Sequence, residues 1–188
     1  GNVVDPYVLA EKFGVDALRF FLLRTFPFGS DGNFTNELLM GTINTDLANT
    51  LGNLVSRTVA MNQKYFGGEL AEGGESAPLD EELKALAAEV MANYEKHMDA
   101  FQFSQGLNDA FQLISRANKY IDENTPWVLA KDMEANGKRL ARVMYNLLEV
   151  LRVSAILLTP FMPTTSVEIL RQIGACECCS KWEAAGVY

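Results

Sequence analysis

Residues able to do covalent or acid-base chemistry are few in this sequence and poorly spaced for it. The single histidine, His97, has no nucleophile or second histidine at a useful distance along the chain, so no catalytic base is expected there. Three cysteines, Cys176, Cys178 and Cys179, crowd into a Cys-x-Cys-Cys run. Three thiols with no fourth ligand nearby fall short of a closed zinc site, and an odd number cannot close a disulfide framework. The run reads as free thiols in a solvent-adjacent tail, in a reducing cytoplasm. Asp80, Glu81 and Glu82 form an acidic group, but at a helix start, where carboxylates complement the dipole. The glycines of Phe28-Gly29-Ser30-Asp31-Gly32-Asn33 lack an accompanying lysine or strand and suit a turn-dense connector better than a phosphate cradle. No catalytic residue and no metal site is expected. The remaining candidates are polar rather than reactive. Asn53 and Arg57 are four apart, hence on one face of a helix; Trp127 follows Pro126; and Lys138, Arg139 and Arg142 form a basic group.

These side chains depend on the elements that carry them, and the apolar spacing is helical throughout. Asp5 and Pro6 open a helix that Gly14 closes. Asp16 is expected to cap a second, with Leu18, Phe21, Leu22 and Phe26 on one side, Arg19 and Arg24 near its edges, and Pro27 at its end. Thr35 caps the longest element, whose apolar stripe from Leu39 through Leu54 to Phe66 reaches Gly67-Gly68, a rod of roughly 45 Å at about 1.5 Å per residue. Residues 67–78, rich in Gly and Glu, predict a flexible linker. A third long helix after Asp80 carries Leu83, Val90, Tyr94 and Met98, and Ser104 is expected to cap a fourth, with Leu107, Phe111, Ile114 and Ile121 inward. Thr125 should cap a short helix with Pro126 at its first position and Trp127 at its start. A fifth long helix from Asn136 is apolar on more than one side, as the central member of a bundle must be. Pro160 stops it, and one more helix spans 164–173. There is no period-two run, so the expected fold is all-α, an antiparallel helix bundle. The expected divisions are a segment 1–34, a helical bundle 35–174 and a C-terminal tail 175–188.

With 188 residues and 48% hydrophobic composition, the chain can bury a sizeable core. A net charge of −8 argues against sequence-blind binding to long nucleic acid, DNA included, while leaving room for a small, specific RNA site. The greasiest stretch, Leu147 to Met162, is broken by Glu149, Arg152 and Pro160, so no membrane span is expected. The opening Gly1-Asn2 in place of Met reads as a cut from something longer.

Two stretches carry a resemblance. Gly1-Asn2-Val3-Val4-Asp5-Pro6, followed by Phe13-Gly14-Val15-Asp16-Ala17-Leu18-Arg19-Phe20-Phe21-Leu22-Leu23-Arg24, resembles the segment after the lysine-rich signature loop of class I aminoacyl-tRNA synthetases. Gly32-Asn33-Phe34, Asn44-Thr45-Asp46-Leu47-Ala48-Asn49, Leu51-Gly52-Asn53-Leu54-Val55-Ser56-Arg57 and Pro126-Trp127-Val128-Leu129-Ala130-Lys131 narrow it to the methionyl-tRNA synthetase family. The resemblance runs over essentially the whole chain. It implies a stem-contact segment over 1–34 and then an anticodon-binding domain. The catalytic domain, with its ATP site and zinc-knuckle region, would lie upstream, so no cofactor is expected here and the chain alone is not expected to be an enzyme. The implied partners are methionine tRNA, read at its CAU anticodon, and the catalytic domain of the same protein.

By that resemblance Asn53, Arg57 and Trp127 contact the anticodon, chiefly its first base, and Pro126 fixes the tryptophan. The residue types suit the work. An amide and a guanidinium fork on one helix face can address the edge of an unpaired base, and an aromatic ring can serve as its stacking platform. The same residues also suit blander work, as a solvated helix face and a packed bundle anchor. Lys138, Arg139 and Arg142 could reach phosphates, and Arg19 and Arg24 could approach the tRNA stem. A valine- or isoleucine-type anticodon domain, or a helical protein-interaction module that never touches RNA, are the alternatives.

Overall fold

The structure is a computed structural model that describes residues 4–70 and 73–186, and every element among the described residues is helical. Helix α1 (Pro6–Phe13) is capped by Asp5, whose carboxylate accepts from the Tyr7 N–H at 2.8 Å, and it ends on Gly14. Helix α2 (Val15–Thr25) starts on Gly14 without a side-chain cap. Asp16 is therefore not the cap that its position suggested. It lies in the first turn, and its carboxylate accepts from the N–H and hydroxyl of Thr165, at 2.6 and 2.7 Å. A tertiary partner has claimed a side chain that local rules assign to the helix start.

Thr35 caps α3 (Asn36–Thr42) by accepting from the Leu38 N–H at 3.0 Å. The rod then runs unbroken through a wide π-helical stretch, Ile43–Gly52, into α4 (Asn53–Phe66) and stops at Gly67, whose φ of 65° is the left-handed turn that glycine adopts without strain. Gly52 closes the π stretch, where a Cβ would stand 3.0 Å from the Leu47 carbonyl oxygen. Of the connection that follows, residues 67–70 are exposed, 71 and 72 lie outside the described residues, and Gly73 and Gly74 are half-buried against the bundle.

Helices α5 (Pro78–Asp99) and α6 (Phe103–Asn124) form a hairpin, and α6 begins without the Ser104 cap expected of it. The left-handed turn is made by Phe101, and Phe103 packs edge-on to both Phe28 and Phe101. Helix α7 (Pro126–Leu129) is one turn long. Helix α8 (Met133–Leu158) starts three residues before Asn136, because Asp132 caps it by accepting from the Ala135 N–H at 3.0 Å. Lys138 and Arg139 consequently sit in the second turn of α8. Helix α9 (Pro163–Gln172), a 3₁₀ turn (Glu177–Ser180) and α10 (Trp182–Ala185) complete the chain.

Bonds between the helices give their directions. Asp80 near the start of α5 meets Arg139 near the start of α8, and Tyr94 late in α5 donates to the Leu157 carbonyl late in α8 at 2.6 Å, so these two run in parallel. Tyr120 near the end of α6 donates to Asp80 at 2.5 Å, so α6 runs the other way. Helix α8 is buried on every side from Val150 to Leu158, as its apolar surround predicts. A smaller core of Leu9, Leu18, Phe21 and Leu39 holds α1 and α2 against α3. Adjacent residues of α2 serve both cores: Phe21 faces the smaller, while Phe20 packs against Phe111 in the larger, ring centres 5.4 Å apart.

Candidate nucleic-acid interface

Asn53 and Arg57 stand in the first two turns of α4, directly after the π stretch, and both look toward α6. Asn53 Nδ2 donates to Asn118 Oδ1 at 3.2 Å, and Arg57 Nη2 donates to Asp122 Oδ1 at 2.8 Å. The two pairs share a sequence offset of 65, so α4 and α6 run in the same direction as two rails with polar rungs. Asn118 is fixed in turn by donating its Nδ2 to the Thr50 carbonyl at 3.0 Å, inside the π stretch. The rungs stay open to water: the Arg57 side chain is 30% exposed and that of Asp122 is 64% exposed.

Two residues beyond Asp122, α6 ends. Thr125 turns the chain with φ 43°, a left-handed conformation that a β-branched residue adopts only under constraint from its surroundings. It offers no side-chain cap to α7; its carbonyl does so instead, accepting from the Val128 N–H at 2.7 Å. Pro126 is buried and Trp127, next to it, is 44% exposed. A fixed, buried proline thus carries an indole that reaches solvent at the end of α6 where Arg57 is held.

That helix end is anchored from inside by a network that sequence reading missed. Asp80, whose place in the first turn of α5 suggests only a dipole-complementing carboxylate, is 3% exposed. It accepts from the Ala77 N–H at 2.8 Å, from the Tyr120 hydroxyl at 2.5 Å and from both outer nitrogens of Arg139. Arg139 also donates to Asn124 Oδ1 at 2.5 Å, and Asn146 donates to the Tyr120 hydroxyl at 3.0 Å. Burial by itself would raise the Asp80 pKa, but the hydrogen bonds from Arg139, Tyr120 and Ala77 outweigh it and hold the carboxyl below its ordinary value. Burial also pushes the Tyr120 hydroxyl up, so it stays a donor.

The basic candidates divide accordingly. Arg139 is committed to Asp80, and Arg142 donates twice to the Gly74 carbonyl, at 3.0 and 2.8 Å, while the Gly74 N–H donates to the Lys138 carbonyl at 2.9 Å. Lys138 itself is exposed. Arg24 and Arg19 lie toward the other end of the bundle. Arg24 pairs with Asp46 at 3.0 Å, bonds Asn108 and covers the Phe111 ring, and Arg19 donates to the carbonyls of Phe161 and Pro160 at 3.1 and 2.6 Å. The structure therefore places Asn53 and Arg57 against the last two turns of α6, sets Pro126 and Trp127 just past its end, and leaves Arg19 and Arg24 apart from them. Asn118 and Asp122 were legible only as a polar pair on α6 with the spacing of Asn53 and Arg57.

The all-helical fold has known counterparts. Residues 1–59 match the family described as tRNA synthetases class I (M), so the front of the chain is of class I synthetase type. Residues 70–186 match the anticodon binding domain of methionyl tRNA ligase, and the chain belongs to that family. Among curated relatives, it is 52% identical over 98% of its length to a methionine–tRNA ligase of Caldanaerobacter subterraneus subsp. tengcongensis, and 52% identical over 93% to that of Bacillus subtilis. It spans only 29% and 26% of those proteins. A solved structure of Mycobacterium tuberculosis methionyl-tRNA synthetase in complex with methionyl-adenylate superposes over the whole chain with a TM-score of 0.95 at 40% identity, the chain covering 37% of it. None of the helices described is long and apolar enough to cross a membrane.

Proposed function

We propose that the last turns of α6 and the facing turns of α4 read the CAU anticodon of methionine tRNA, with Trp127 stacking on its first base and Asn53 and Arg57 addressing base edges. The observation that carries this reading is the exposed Trp127 indole on buried Pro126, at the helix end where the Arg57 fork is held. Sequence-specific RNA recognition works on splayed single-stranded bases, which need both a flat ring and hydrogen-bonding side chains fixed beside it. Lys138 contributes a phosphate contact. The bonds of Arg19, Arg24, Arg139 and Arg142 assign those side chains first to holding the fold. Residues 1–34 serve as the stem-contact segment and 35–174 as the reading bundle, on which Arg152 and the Tyr94 ring hold the C-terminal segment through Cys179, Ala184 and Trp182.

In the whole protein, an upstream catalytic domain packed on this one would activate methionine with ATP in the cytoplasm and attach it to the tRNA so recognised. This chain supplies recognition and no activation chemistry, so methionine-driven ATP–pyrophosphate exchange should stay at background. The reading itself is tested by titrating the chain with anticodon stem-loops that differ only in the first anticodon base. Preference for CAU that is lost in Trp127→Ala supports it, and equal binding of all stem-loops by the unaltered chain overturns it.

A further inference from the structure

The Cys-x-Cys-Cys run converges in space. Cys176 precedes the 3₁₀ turn Glu177–Ser180, and its Sγ accepts from the Cys179 N–H at 3.2 Å. The three Sγ atoms all lie within 4.8 Å of one another, with Cys178 Sγ in contact with that of Cys176 and 3.7 Å from that of Cys179. Cys176 and Cys178 are exposed and Cys179 is half-buried, and all three are free thiols. The turn is not loose. Arg152 of α8, itself mostly buried and paired with Glu149, donates to the carbonyls of Cys179 and Ala184 at 3.0 and 2.9 Å. Ala185 is buried, and Trp182 lies against Tyr94 with ring centres 5.9 Å apart. The thiols therefore ride on a turn fixed to the central helix.

We propose that Cys176, Cys178 and Cys179 form an open three-thiolate site for a thiophilic d¹⁰ metal ion, Cu(I) or Zn(II). Three sulfurs bound to one ion at about 2.3 Å stand about 4 Å apart, so the observed group needs only side-chain rotation, at the exposed Cys176 and Cys178 above all, to match. A ligand count of three excludes a closed tetrahedral site but not one in which Cu(I) is three-coordinate or Zn(II) keeps a solvent molecule as fourth ligand. Soft thiolates select these ions over Mg²⁺, Ca²⁺ or Mn²⁺, which take oxygen. Each sulfur binds as thiolate and gives its proton to solvent; no electron is transferred.

The experiment is anaerobic titration of the fully reduced chain with Cu(I), and separately with Zn(II), against a chromophoric chelator. Binding of one ion per chain, weakened at least about tenfold in each of Cys176→Ser, Cys178→Ser and Cys179→Ser, is expected. Glu177→Gln, a change between the ligands, should leave the affinity as it was. X-ray absorption separates the two ions' modes: three sulfur neighbours alone for Cu(I), three sulfurs and one oxygen for Zn(II). Circular dichroism checks that the serine variants keep their helicity, which the place of all three thiols outside the buried core predicts. No binding of either ion, or binding undiminished in the serine variants, would each overturn the site.

Discussion

Arg57 of α4 donates to Asp122 of α6 at 2.8 Å across 65 positions of sequence, and both side chains remain open to solvent. An exposed pair of this kind contributes about 0–1 kcal/mol to stability, because water and salt screen it and two long side chains must be ordered to make it. Its structural effect is to hold the guanidinium fork against α6 at Asp122, two residues before that helix ends. A side chain held in this way loses less freedom when a base replaces the carboxylate as its partner.

Arg57→Ala should therefore unfold at nearly the same denaturant concentration as the unaltered chain, within about 1 kcal/mol. Its effect should appear in RNA binding, as relaxed discrimination among anticodons. Stem-loop titrations across all four first-position bases check this, and full discrimination retained by Arg57→Ala would remove it from the reading set.

Trp127→Ala should cost roughly 1–3 kcal/mol of stem-loop binding, the usual worth of an aromatic–base stack. The indole is 44% exposed, so helicity should be unchanged. A variant that loses helicity would instead make Trp127 an anchor of the bundle.

Lys138→Ala should weaken binding to every stem-loop alike and lower the slope of log affinity against log salt by about one phosphate contact. Measurement at several salt concentrations separates this from loss of base readout. An unchanged slope would remove Lys138 from the phosphate contacts.

Asp80→Ala should destabilise the fold by roughly 3 kcal/mol, because it strands the Arg139 guanidinium and the Tyr120 hydroxyl. The sign of the pH effect follows from the lowered Asp80 pKa. A carboxyl more acidic in the folded than in the unfolded chain stabilises the fold above its unfolded pKa, and that contribution is lost as pH falls through the folded value. Urea unfolding between about pH 7 and about pH 3 should show a smaller loss of stability in Asp80→Asn than in the unaltered chain. An equal acid loss in both would show that other carboxylates carry it.

Limited proteolysis should open the chain first at 67–70, where the backbone is exposed, and spare Gly74, which is bonded to both Lys138 and Arg142. Early cutting within α8 would contradict the burial described for it.

The order of the helices as far as α9, the central place of α8 and the stops at Gly67, Pro160 and Gly174 were legible in the sequence, because apolar periodicity, proline and glycine act through neighbours a few residues away; the short turn and helix after Gly174 were not. So were Asn53 and Arg57 as one face, since a spacing of four is a local fact. Side chains with two possible partners were not legible. Asp16 binds Thr165 and not its own helix, and Asp80 binds Arg139 and Tyr120 across three helices as well as its own first turn. Nor was the π stretch, whose wide turn differs too little from an α turn to leave a periodicity of its own over ten residues. Tertiary structure decided which of the basic candidates remain at the surface. Arg24, Arg139 and Arg142 each found acceptors in the folded chain while Lys138 stayed exposed, because charged groups drawn toward a core persist there only when paired, and the pairing partners are set by packing over long sequence distances.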